Sequence, residues 1–114
     1  MSAKVINLTS VDGDVYELTF TRESAEATER AGFEIAEYLD KKGLLKNSKA
    51  LFTGAFIARN RGAKRKVIDE LYSSIANKEE LMAVLLEMYL ETTQSLIGNV
   101  EEGKNAKNAT WEIA

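Results

Sequence analysis

The chain has 114 residues, 45% of them hydrophobic and 29% charged, with a formal net charge of −3, which describes one domain with a modest core. It contains no histidine and no cysteine, and so excludes a Ser-His-Asp triad, a thiolate nucleophile, a Cys/His zinc site and a disulfide framework. No run approaches the ~18 apolar residues of a membrane span, and the start "MSAKVINLTS" has no apolar signal-peptide region; the expected location is the cytoplasm.

The elements follow in chain order. Residues 4–21 are expected to form a β-hairpin. "VYELTFT" alternates, with Tyr16, Leu18 and Phe20 on one face and Val15, Glu17, Thr19 and Thr21 on the other, and Asp12-Gly13 supplies the turn. Asp12 and Asp14 lack the further oxygen ligands and late Glu of a calcium loop.

With no proline in the chain, helices can run without that interruption. A first helix is expected over 22–41, capped by Thr21. It carries Ala25, Thr28, Gly32, Ile35, Ala36 and Leu39 at helical spacing, and Gly32 inside it marks a bend beside Phe33. Small residues at 25, 27, 31 and 32 allow another backbone close. A second helix, 47–60, is capped by Asn47 or Ser48 and bears the stripe Leu51, Phe52, Ala55, Phe56. Gly62 breaks the chain. A third helix, 64–76, shows Ile68, Leu71, Tyr72 and Ile75 on one face. A fourth, 78–97, has the most continuous stripe: Leu81, Met82, Leu85, Leu86, Tyr89, Thr93, Leu96, Ile97. From Gly98 the pattern stops, and residues 99–114 read as a polar, mobile tail. The expected fold is α+β: one domain over 1–98, with the hairpin packed on a bundle of about four helices.

Charge is distributed unevenly. Residues 47–66 hold six bases (Lys49, Arg59, Arg61, Lys64, Arg65, Lys66) and no acid, while the segments on either side carry −3 and −6. Such an island suits nucleic-acid phosphates, but a pI near 5.1 is unlike that of a dedicated nucleic-acid binder. Gly62-Ala63-Lys64-Arg65 fails the phosphate-loop pattern, and the apolar part is too short for a membrane foot. Lys66 has Asp69 and Glu70 within helical reach, yet six bases exceed what such pairing needs. Opposed patches suit an acidic protein partner, or a second copy docking its negative C-terminal helix on the island.

Trp111, the single tryptophan, has two readings. "TWEI" folds back to plug the core or add a short strand, or it is an anchor on a flexible arm. Glu79-Glu80 and Glu101-Glu102 read as solvated surface, and Met82 and Met88 as core. No set of residues proposes an active site, and no cofactor or metal is called for.

The order "VYELTFTRESAEATERAGFEI", "LFTGAFIARNRGAKRKVIDELYSSI", "EELMAVLLEMYLETTQSLI" and a lone Trp in "NATWEI" resembles the small tail assembly chaperones of long-tailed bacteriophages and prophages of Gram-positive hosts, over residues 11–114. The resemblance implies a non-enzymatic protein, absent from the finished virion. Such a protein binds the long, helical tape measure protein and keeps it soluble while tail tube subunits polymerise, with the tail tube protein as a further partner. It also implies a longer product made by ribosomal frameshifting, of which this chain would be the shorter form. A holdase of this kind needs apolar contacts with an electrostatic rim. Helices two and four, with Phe56, are expected to supply the apolar surface where it is not all spent internally, Arg59, Arg61, Lys64, Arg65 and Lys66 the rim, and Trp111 an anchor. The alternatives are a small nucleic-acid-binding regulator using the 59–66 bases, and a structural tail connector or completion protein.

Overall fold

The computed structural model describes residues 5–98. Two short strands, β1 (Ile6–Thr9) and β2 (Val15–Leu18), pair antiparallel with Leu8 opposite Tyr16. Gly13 takes the positive φ that the connecting turn requires. The alternation has its expected outcome on β2, where Val15 and Glu17 face water, Tyr16 is half-buried and Leu18 is fully buried. The fold is α+β, and among the described residues five helices follow the hairpin: α1 (Arg22–Arg30), α2 (Ile35–Leu39), α3 (Leu44–Ile57), α4 (Arg65–Ser74) and α5 (Lys78–Gly98).

The helix expected over 22–41 is two helices. Thr21 caps α1 as anticipated, accepting from the Ser24 amide at 3.1 Å while Ser24 Oγ accepts from the Thr21 amide at 2.9 Å. Gly32 does not bend this helix; it ends it. The Gly32 amide donates to Glu29 O at 3.0 Å and the Phe33 amide to Thr28 O at 3.2 Å, with Gly32 at φ +101, the paired bonds of a Schellman stop. The same stop recurs at the end of α2. There the Lys41 amide donates to Tyr38 O and the Lys42 amide to Glu37 O, with Lys41 at φ +60. A lysine in this left-handed position costs about 1 kcal/mol against glycine.

α3 starts at Leu44, three residues before the expected cap, with Gly43 as its N-cap. Asn47 is therefore not a cap. It is wholly buried inside the helix, where its Oδ1 accepts the Glu34 amide at 2.9 Å and its Nδ2 donates to Glu37 Oε1 at 2.9 Å and Lys42 O at 3.2 Å. One side chain thus fastens both ends of α2 to α3.

α3 is the central element, touching β2 and all four other helices. Its Leu51, Phe52, Ala55 and Phe56 have no exposed surface. Two chains of rings run through the core. Tyr16, Phe56, Phe52 and Tyr72 link the hairpin to α4 through α3, and Phe20, Tyr89, Phe33 and Tyr38 link it to α2 through α5. Ile68 and Leu71 of α4 and Met82, Leu85 and Met88 of α5 complete the core. The expectations for Leu96, Ile97 and the 99–114 tail lie outside the described side chains.

Tyr89 is buried, and its Oη donates to Glu29 Oε2 at 3.4 Å. Burial first, then the Glu29 charge, pushes the phenol up to about 12 from its ordinary 10.0. The folded state thus holds this proton more tightly than the unfolded chain does. The resulting stabilisation is complete below about pH 10 and is lost as pH rises toward about 12. Urea midpoints measured across that window should fall in the wild type and fall less in Tyr89→Phe.

Candidate partner-binding surface

The end of α3 divides the basic island in two. Asn60 Nδ2 donates to Phe56 O at 2.8 Å and to Glu17 O at 3.0 Å, tying the helix end to β2, and Gly62 at φ +79 then turns the chain into α4. On the hairpin side, Arg59 lies 3.8 Å from Glu17 and Arg61 lies 2.6 Å from Glu23. Both pairs are largely exposed and worth less than about 1 kcal/mol. On the α4 side, Lys49 lies 2.8 Å from Asp69 Oδ1. That oxygen is shielded from water, and the ammonium meets it off the hydrogen-bond direction, as an ion-pair contact. The Asp69 expected to reach Lys66 is therefore taken by Lys49.

Lys64, Arg65 and Lys66 have no acidic partner among the described residues. They occupy the N-cap and first turn of α4, where no acid and no capping side chain is present. α5 does the reverse, opening with Glu79 and Glu80. Three cations at the positive end of a helix dipole oppose it by about 0.3–1 kcal/mol each.

Among the described residues, the predicted contact residues are not brought together. Phe56 is fully buried between Tyr16 and Phe52 and offers no surface to a partner in this conformation. The Leu51, Phe52, Ala55 and Phe56 stripe of helix two is spent on the core, and the apolar surface α3 offers lies at its first turn, with Leu44 and Leu45. Trp111 lies outside the described residues. Arg61 lines an open groove of about 350 Å³ between the start of α1 and the end of α3, together with Arg30 and Ile57. Arg65 lines a different one, about 420 Å³, between α3 and α4. Among the described residues, Arg61 and Arg65 of the island therefore face two separate grooves.

Exposed large apolar side chains among the described residues fall in two places, the hairpin region with Val5, Val11 and Val15, and the α2–α3 turn. Leu39, Leu44 and Leu45 are 62%, 48% and 84% exposed around the α2–α3 turn. Their signal is legible in "LDKKGLLK", where leucines interrupt a polar stretch. Lys46 beside them bridges Glu34 at 3.2 Å and Glu37 at 3.0 Å. The Asn47 hydrogen bond first, then that of Lys46, holds the Glu37 carboxyl below its ordinary value. Among the described residues no helix is long and apolar enough to cross a membrane.

No curated protein and no solved structure matches the chain. One family model does, over residues 1–114, and it covers the hairpin, the α3–α4 junction and α5 alike. The chain therefore belongs to the family described as Domain of unknown function (DUF5055).

Proposed function

We propose that this protein is a non-enzymatic chaperone of long-tailed phage tail assembly, acting in the host cytoplasm. It holds helical segments of the tape measure protein in solution while the tail tube polymerises, and it leaves before the virion is complete. The observation that carries this reading is the unpartnered Lys64-Arg65-Lys66 run at the start of α4. A local arrangement that opposes stability, with no partner inside the described fold, marks a surface kept for something else, and an acidic partner relieves it. The exposed leucines at the α2–α3 turn add apolar contact of the kind a helical client needs. The resemblance over residues 11–114 supplies the identity of the client.

Lys64→Asp with Lys66→Glu should gain about 1–2 kcal/mol of stability, by supplying a cap and reversing the charge conflict. The same variant should capture less tape measure protein on co-expression. Higher melting temperature with undiminished capture would remove these bases from the mechanism. Failure of the wild type to capture tape measure fragments would overturn the reading itself. Recovery of the protein from purified virions would favour a structural tail component, and a salt-dependent shift of labelled DNA or RNA would favour a regulator. Self-association through α4 and the exposed α5 acids Glu79, Glu80 and Glu91 competes for the same charges, and light scattering at low salt separates it from client binding.

A further inference from the structure

We infer that the cleft between α3 and α4 is where such a client docks, and that it selects an amphipathic helix whose apolar stripe is flanked by carboxylates; the inference rests on the chaperone reading and names its site. The cleft holds about 420 Å³ and opens to solvent. Its floor is small and apolar, formed by Ala50, Ala63 and Ile68, while Lys46 and Lys49 line it from α3 and Arg65 from α4. An apolar floor between charged rims is the form of a helix-in-groove site.

The charges define the occupant. Asp69 is the one acid in the lining, and Lys49 already faces it at 2.8 Å. Lys46 is held by Glu34 and Glu37. Arg65 has no acid partner among the described residues, and Lys64 and Lys66 stand next to it in the chain. The charge left without an ion pair in the cleft lining is that of Arg65, and it complements a carboxylate. Lys46, Lys49 and Thr53 lie along one face of α3 at successive helical turns, so a second helix lying beside α3 presents its own residues at matching intervals of about 5 Å. Leu45 lies one turn before Lys49 on α3, outside the cleft lining, and is 84% exposed. Arg59 and Arg61, engaged by Glu17 and Glu23 on the hairpin side, take no part.

The test uses the full chain and two labelled amphipathic helical peptides with the same leucine stripe, one flanked by glutamates and the other by lysines. Fluorescence anisotropy should show binding of the glutamate peptide, weakened by salt, and little of the lysine peptide. Thr53→Trp, which fills the cleft from a half-buried position, and Arg65→Glu should each weaken binding about tenfold or more, with Arg59→Glu and Arg61→Glu within about twofold. Thermal melts establish that each variant is folded. Equal binding of both peptides, unchanged affinity in folded Thr53→Trp, no binding by the wild type, or displacement of the peptide by an oligonucleotide overturns the inference. Capture of tape measure fragments by wild type and Thr53→Trp alike would sink the cleft and leave the chaperone reading standing. Binding of the glutamate peptide with no capture of those fragments would do the opposite.

Discussion

Gly54→Ala is expected to lower stability by about 2–3 kcal/mol, despite the better helix propensity of alanine. Gly54 sits in the middle of α3, where α1 crosses it. A Cβ there would fall inside contact distance of Thr28 Oγ1 and only 3.0 Å from Thr28 Cβ, with Phe20 behind it at 3.4 Å. Thr28 is itself buried, and its hydroxyl donates to Ser24 O at 2.7 Å, so it has no free space to yield. The midpoint of urea unfolding should fall with an unchanged slope, as for a loss of packing without a change of fold. Thr28→Ala removes the obstructing oxygen. The double variant Thr28→Ala, Gly54→Ala should therefore recover part of the loss, giving a coupling of about 1 kcal/mol or more. Strict additivity of the two substitutions would show that the helices can slide apart and that the close approach is not fixed.

Asn47→Ala should cost about 3 kcal/mol, through buried groups left without partners more than through lost volume. The Glu34 amide and the Lys42 carbonyl both bond to the Asn47 side chain, and its removal orphans both ends of α2 together. The neighbouring change Lys46→Ala deletes two exposed ion pairs and should cost less than about 1 kcal/mol. The Glu37 carboxyl, held below its ordinary 4.5 first by Asn47, adds a pH signature. A depressed folded value means stabilisation that is present above the unfolded value and lost as pH falls through the folded one. Acid unfolding should therefore be less steep in Asn47→Ala than in wild type. Hydrogen exchange should show faster opening of residues 33–43 alone, since α3 keeps its Phe52 and Phe56 packing.

These two sites also show what the sequence exposes and what it conceals. The Asp12-Gly13 turn, the Thr21 cap and the stripes of α3, α4 and α5 were legible because each depends on residues close in the chain. Gly32 was misread because the spacing of Ala25, Thr28, Ile35 and Leu39 continues in phase across it; only the backbone bonds from Gly32 and Phe33 distinguish a stop from a bend. Asn47 carries the residue type of a cap, and its true partners belong to another helix. Gly54 carries no local signal, because the Thr28 that requires it belongs to α1. The basic run was visible as composition, but its division was not, because Glu17, Glu23 and Asp69 come from three separate elements. The exposure of Leu44 and Leu45 follows from a helix start at Gly43, which the cap-type residues Asn47 and Ser48 conceal.

The hairpin has a consequence for how the chain leaves the ribosome. A ribbon of two four-residue strands is not stable alone in water. Here it is held by Tyr16 against Phe56, by the Thr19 amide on Ala55 O, and by Asn60 on Glu17 O. All three anchors come from the far end of α3, so the ribbon must wait, unpaired, until some forty residues more have emerged.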